Sequence, residues 1–212
     1  MTLRLEGLGV LLHGAPLFAP VTLEVAPGQV ACVMGPSGAG KSSLLDAVGG
    51  LLAPGLVAAG RVWLDGQDIT ALPAERRRIG RMFQEAQLFS HLSVGDNLAF
   101  GLPAGVKGRA ARRARVDEAL DRAGLGGMAA RDPATLSGGQ RARAALMRTL
   151  LAEPRAVLLD EPFAALDAPL RADLRAFTLD HLQARGIPAL LVTHDPADAE
   201  AAGGPILHLQ AA

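Results

Sequence analysis

The sequence predicts an α/β fold with a mostly parallel sheet and a helical insertion. Three observations carry this. Val30-Ala31-Cys32-Val33-Met34, Ala156-Val157-Leu158-Leu159 and Ile187 through Val192 are short unbroken apolar runs, as strands buried on both faces require. Helical patterns separate them, the alternation typical of α/β cores. From about Glu85 to Thr135 strand signals are absent altogether.

Taken in order, Leu3-Arg4-Leu5-Glu6 and Val21-Thr22-Leu23-Glu24-Val25 alternate apolar and polar residues, the pattern of half-buried strands. Pro27-Gly28 is a turn into the first apolar run. Ala47 to Gly60, with Pro54 and several glycines, reads as a helix end followed by a loop. In the insertion, Ser93 is placed to cap a helix beginning Val94-Gly95-Asp96. Arg109 to Ala123 sets Val116, Leu120 and Ala123 on one stripe, and Gly124 stops that helix. A further helix begins near Gly138, runs to about Ala152 and ends before Pro154.

Lys plus Arg and Asp plus Glu are both 21, so the formal charge is zero. That balance argues against a partner held by bulk charge, and aromatics at 3% leave little for stacking on bases. No nucleic-acid partner is expected. The clusters Arg76-Arg77-Arg78 and Lys107 to Arg115 are expected to form a solvated face or a protein contact. No apolar run reaches the ~18–20 residues that cross a bilayer. Met1 to Glu6 lacks the basic start of a secretory signal, so a cytosolic chain is expected. Cys32, a lone cysteine in an apolar run, is expected to be core filler.

Gly35-Pro36-Ser37-Gly38-Ala39-Gly40-Lys41-Ser42 fits G-x-x-x-x-G-K-[ST] between a strand and a helix. The glycines let backbone N–H groups converge on phosphate oxygens, and the helix N-terminus adds partial positive charge. In such a loop Lys41 reaches the β- and γ-phosphates and Ser42 binds Mg²⁺. Alone, the loop says only that a nucleoside triphosphate binds. Leu136-Ser137-Gly138-Gly139-Gln140 ahead of a helix is far more selective. It is the signature peptide of ATP-binding cassette ATPases, a family this chain resembles from its first strand to His194.

The resemblance implies a P-loop NTPase core with an N-terminal antiparallel β part and a helical signature subdomain inserted. Residues 1–212 would form one such domain, with 1–84 and 153–212 as core and β part and 85–152 as helical subdomain. It implies ATP and Mg²⁺ as ligands, with Gly35 through Ser42 and the adjoining Ser43 on the nucleotide. Asp160 would take the metal and Glu161 polarise the attacking water, at the end of a buried strand. Gln84 would touch Mg²⁺ and water and hinge the insertion, and His194 would contact the γ-phosphate. Ser137, Gly138, Gly139 and Gln140 would reach nucleotide across a homodimer, beside Asp167.

The match is strongest to cassettes of bacterial importers for small polar or ionic solutes, through Gln84, Leu88 to Val94 and Asn97 to Gly101. It implies integral-membrane permease subunits, a solute-binding protein and a place on the cytoplasmic face of the inner membrane. A permease helix would dock in an apolar groove of the insertion, with Phe89, Leu92, Val94 and Phe100 as groove or core residues. The competing reading is a cassette that clamps ATP in a division or repair assembly. Glu161 and His194 argue against a non-hydrolysing clamp.

Three departures stand out. Leu11-Leu12-His13-Gly14 lacks the aromatic residue that family members usually stack on adenine. Ala164 replaces the usual serine ahead of Ala165-Leu166-Asp167. Eighteen residues follow His194, too few for the regulatory β-domain of many importer cassettes, so none is expected.

Overall fold

The computed structural model describes residues 1–212. The chain forms two compact units: residues 1–81, 155–161 and 176–212 make the first, and 82–154 with 162–175 make the second.

The first unit holds two sheets. One is antiparallel, built on β1 (Leu3–Leu12), which pairs with β2 (Ala15–Pro16), β3 (Val21–Val25) and β5 (Leu56–Leu64); β6 (Gln67–Asp68) continues from β5. Leu3, Leu5, Leu8 and Val10 of β1 turn inward and are fully buried. The β1–β5 register shifts between Glu6 and Gly9. There Gly60, at φ +85°, comes so close to Gly7 that a Cβ would sit 2.2 Å from its carbonyl oxygen.

The other sheet contains β4 (Val30–Met34), β7 (Ile79–Met82), β8 (Ala156–Asp160), β9 (Ala189–Val192) and β10 (Gly203–His208), in the order β10-β4-β9-β8-β7. The β10–β4, β4–β9 and β9–β8 pairings are all parallel. All residues of β9 are buried, as are the first four of β4 and of β8, as the unbroken apolar runs foretell. Cys32 lies here, its thiol pushed up to about 11 by burial and by the nearby Asp198 carboxylate. Helix α1 (Lys41–Gly49) contributes Leu44, Leu45 and Val48 to a core shared with Leu3, Phe18, Val25, Leu158 and Leu190.

Two expectations need correction. Ala47 to Gly60 is a helix end and a turn, but from Leu56 it is strand β5 rather than loop. Residues 57–61 are mostly exposed, so no apolar alternation marks the strand. The Arg76-Arg77-Arg78 cluster is not a uniform solvated face. Helix α2 (Ala74–Arg77) ends at Arg78 in a left-handed turn, φ +55°, and Arg77 is buried. Its guanidinium donates to the carbonyls of Leu72, Thr70, Ala47 and Val48 at 2.7–2.8 Å. A cation at the C-terminus of α1 satisfies carbonyls that lack helical donors and opposes the helix dipole. Burial pulls the Arg77 pKa below its ordinary value.

The second unit is helical. It contains α3 (Val94–Phe100), α4 (Arg109–Arg122), a 3₁₀ turn (Pro133–Thr135), α5 (Gly138–Leu151) and the start of α6 (Ala168–Ala184). No strand falls between residues 85 and 135. Ser93 caps α3 by accepting from Asp96 N, and Gly124 follows α4 at φ +68°. Val116, Leu120 and Ala123 are buried together, as their stripe requires. Buried Asn97 donates to the carbonyls of Phe89, Leu92 and Ser93 and accepts from Phe89 N at 2.8 Å, fixing the 89–93 loop. Val94 is therefore core, Phe89 and Leu92 are half-buried, and Phe100 is 67% exposed. From the Lys107–Arg115 cluster, Arg112 donates inward to Ala99 O at 2.7 Å, while Arg113 and Arg115 pair with Asp117 and Glu153. No helix is long and apolar enough to cross a membrane.

Candidate functional site

The carboxyl ends of β4, β9 and β8 lie side by side in the parallel sheet. Open α/β sheets bind ligands in the crevice beyond such ends. Each of the three strands delivers candidate residues there: the Gly35–Ser42 loop from β4, Asp160 and Glu161 from β8, and Thr193-His194 from β9.

The loop is built by exclusion. A Cβ on Gly35 would lie 2.3 Å from Leu209 O, and one on Gly40, at φ +88°, would lie 2.6 Å from the Phe18 ring. Gly38, at φ +81°, has open space around it and is exposed with Pro36 and Ser37, while Ala39 is buried beneath. Gly40 caps α1 without a side-chain hydrogen bond. The N–H groups of Lys41, Ser42 and Ser43 then have no helical acceptor and point along the helix dipole, a ready anion site. Lys41 folds back over the loop, donating to Gly35 O at 2.8 Å and Pro36 O at 2.9 Å, and is 8% exposed. Its ammonium is held at the centre of the loop by weak neutral acceptors that phosphate oxygens would outcompete.

Asp160 accepts from Ser42 Oγ at 3.3 Å through Oδ1 and from Arg81 at 3.0 Å through Oδ2. A hydroxyl and a carboxylate oxygen side by side are hard donors, the pair that suits Mg²⁺ when phosphate oxygens and water complete its shell. No cluster of three or more His, Cys, Asp or Glu side chains could hold a metal unaided. Glu161 has φ +46°, a left-handed backbone costing a non-glycine residue about 1–3 kcal/mol. Its N–H donates to Val192 O at 3.0 Å, which ties the turn to β9. Its Oε2 lies 3.2 Å from His194 Nδ1, so a proton on Nδ1 bridges the two; Glu161 is largely buried and His194 is 64% exposed. Thr193, buried, donates to Asp198 at 2.8 Å and accepts from Asp195 N, which fixes the turn carrying His194. The arrangement offers an anion cradle, a cation, a hard-metal pair and a general base beside an imidazole.

Gln84, Ser137, Gly138, Gly139, Gln140 and Asp167 belong to the second unit. Gln84 is exposed just beyond β7. Ser137 and Gln140 form a reciprocal capping box: Ser137 Oγ accepts from Gln140 N at 3.2 Å and Ser137 N donates to Gln140 Oε1 at 2.9 Å. Gly138 packs 3.3 Å, as a virtual Cβ, from Leu166, so a side chain there would crowd the turn before α6. Asp167 caps α6 by accepting from Leu170 N at 3.0 Å. Arg143, one turn into α5, holds Ala123 O at 3.0 Å and pairs with Asp173.

Sequence reasoning passes over Arg81, since nothing in the loop motifs requires a cation at that position. Leu12 is 40% exposed and His13 is exposed. The aromatic ring under the loop, Phe18, is fully buried and offers no face to a base.

Residues 18–164 match the family described as ABC transporter. The chain is 47% identical over 199 residues to "Uncharacterized ABC transporter ATP-binding protein YnjD" of Escherichia coli, covering 94% of this chain and 91% of that protein. It is 47% identical over 181 residues to "Sulfate/thiosulfate import ATP-binding protein CysA" of Gloeobacter violaceus, covering 85% of this chain and 52% of the relative. It is 45% identical over 197 residues to "Fe(3+) ions import ATP-binding protein FbpC" of Streptomyces coelicolor, covering 93% and 56%. The chain thus spans about half the length of these two import proteins. With a P-loop α/β core, a helical insertion and this coverage, the chain belongs to the ABC transporter family as an ATP-binding, ATP-hydrolysing subunit.

Proposed function

We propose that the chain powers a separate membrane permease that imports a small polar or ionic solute, working as one of two cassettes that close on ATP. The observation that carries this is the convergence of Lys41, Ser42, Asp160, Glu161 and His194 at the ends of adjacent parallel strands, on a chain similar to import proteins. Backbone N–H groups from Gly35 to Ser43 hold the phosphates, and Lys41 exchanges two loop carbonyls for β- and γ-phosphate oxygens. Ser42 and Asp160 are the residues that would hold Mg²⁺. When bound, Mg²⁺ offsets phosphate charge. Glu161 accepts a proton from the attacking water, and His194, beside Glu161, is the residue that contacts the γ-phosphate.

Ser137, Gly138, Gly139 and Gln140 present a second, capped helix N-terminus, which reads the γ-phosphate of a partner cassette in a head-to-tail pair with two-fold symmetry. Asp167 lies beside that interface. The pair sits on the cytoplasmic face of the inner membrane, with permease subunits and a solute-binding protein completing the system. Between α3 and α4 the second unit carries a groove of about 650 Å³ lined by Asp96, Ala99, Arg112, Val116 and Asp117, where a permease helix would dock. It is rimmed by charge rather than wholly apolar, and Phe89, Leu92, Val94 and Phe100, the residues expected to form it, do not line it, so ion pairs as well as burial would set the fit. Gln84, just past the boundary at Met82, hinges this unit.

Capture of the tagged chain from detergent-solubilised membranes tests the reading. A multi-span integral-membrane protein recovered in stoichiometric amount supports it. A stoichiometric partner without membrane spans, as a clamp in a division or repair assembly would bring, overturns it.

A further inference from the structure

Arg81, at the end of the first unit, joins two carboxylates that arrive from different elements. Its Nη1 pairs with Asp46 of α1, and its Nη2 lies 3.0 Å from Asp160 Oδ2 at the end of β8. The other oxygen of Asp160 accepts from Ser42 Oγ. Ser42 and Asp46 stand one helical turn apart on α1, so the chain Ser42–Asp160–Arg81–Asp46 closes on a single helix. Each Asp160 oxygen has its own donor, and the aspartate's rotamer is set from both sides. The Arg81 and Asp160 side chains are only 12% and 16% exposed, which limits screening of this pair by solvent and salt.

Removing the guanidinium would leave two neighbouring carboxylates beside a hydroxyl. Such a set attracts a divalent cation in its own right. With the guanidinium in place the cluster carries one net negative charge rather than two, and a strongly hydrated cation gains little there until phosphate oxygens add theirs. We propose that Arg81 is a positioning residue that orients Asp160 and tempers its charge, so that a divalent metal is taken up only together with nucleotide phosphates. This rests on the reading of Asp160 as a metal ligand.

Mn²⁺ serves as the probe, with free Mn²⁺ followed by its electron paramagnetic resonance signal, in the absence of nucleotide and at saturating ADP. Arg81→Gln should tighten Mn²⁺ binding with ADP on the order of tenfold, the scale of one unit charge acting on a divalent ion at solvated distances. It should also make nucleotide-free binding measurable. Arg81→Lys keeps the charge and should stay close to wild type. Asp46→Asn, which gives Asp160 the undivided guanidinium, should shift affinity the opposite way and tests the idea even if Arg81→Gln fails to fold. A purely structural Arg81 would give weaker or unchanged binding on removal, and that result overturns the inference. Asp160→Asn separates the two claims. If it binds Mn²⁺·ADP as wild type does, the ligand reading itself fails. If it loses Mn²⁺ while Arg81→Gln changes nothing, only the charge-tempering role falls.

Discussion

Replacing Arg77 with Met keeps an unbranched side chain of similar reach but removes the buried cation that ends helix α1. Four main-chain carbonyls lose a charged donor, those of Leu72, Thr70, Ala47 and Val48, of which Ala47 keeps only the long 3.4 Å bond from Gly50 N. A hydrogen bond from a charged donor is worth about 1.5–3 kcal/mol net, so four would sum above the ~4–5 kcal/mol that single substitutions rarely exceed. The cost of desolvating the guanidinium, visible in its lowered pKa, offsets much of that. Deleting one partner of a buried charged network typically costs about 3–5 kcal/mol, and the groups left here are neutral, which favours the lower end, about 3 kcal/mol. For a chain of this size each kcal/mol moves Tm by about 2–4 °C, so Arg77→Met should lower Tm by about 6–12 °C. Gly50→Ala gives a second approach, because its Cβ would lie 2.6 Å from Arg77 Nε at a backbone φ of +75°. In the Arg77→Met background the Cζ and Nη2 contacts are gone and the terminal methyl is free to turn aside, so the double variant should lose less than the sum of the two. Urea unfolding followed by circular dichroism, with calorimetry for Tm, measures all three. An Arg77→Met variant within about 1 kcal/mol of wild type, the ordinary range of unremarkable substitutions, would refute the clamp.

Other consequences follow from the candidate site. Gln84→Ala should leave most nucleotide binding intact yet weaken transport in reconstituted vesicles if the proposed hinge holds; unchanged transport would remove the hinge role. With Leu12 and His13 exposed and Phe18 sealed under the loop, little grips the base. GTP and ATP should therefore have kcat/KM values within about tenfold, or about 1.4 kcal/mol. Leu12→Tyr should tighten nucleotide binding, while an ATP preference far beyond that range would mean an unrecognised adenine contact.

What the sequence makes legible follows from how local each signal is. The strands β4, β8 and β9 are sealed on both faces, so their apolar runs announce them directly. The cap at Ser93 is legible because a cap and its helix are adjacent in sequence. Strand β5 is hidden because its first half is open to solvent and carries Ala58, Ala59 and Gly60, which have no strand preference. Arg77 hides inside a triplet of arginines, and only the left-handed turn at Arg78 aims it inward while Arg76 and Arg78 stay exposed. Arg81 and Asp160 are 79 residues apart, and nothing short of the strand order brings β7 beside β8. The strained φ of Glu161 is equally silent in the sequence, since a glutamate gives no sign of a left-handed backbone.

Under the proposed function the chain works as an ATP-closed pair in which Glu161 drives hydrolysis. Glu161→Gln removes the base while leaving the loop, Lys41, Ser42 and Asp160 untouched, so bound ATP should persist and hold two copies together. Sedimentation velocity of that variant with Mg·ATP measures this directly. A dimer that forms with ATP and dissociates with ADP is expected; a species that stays monomeric at saturating Mg·ATP would rule out the ATP-closed pair.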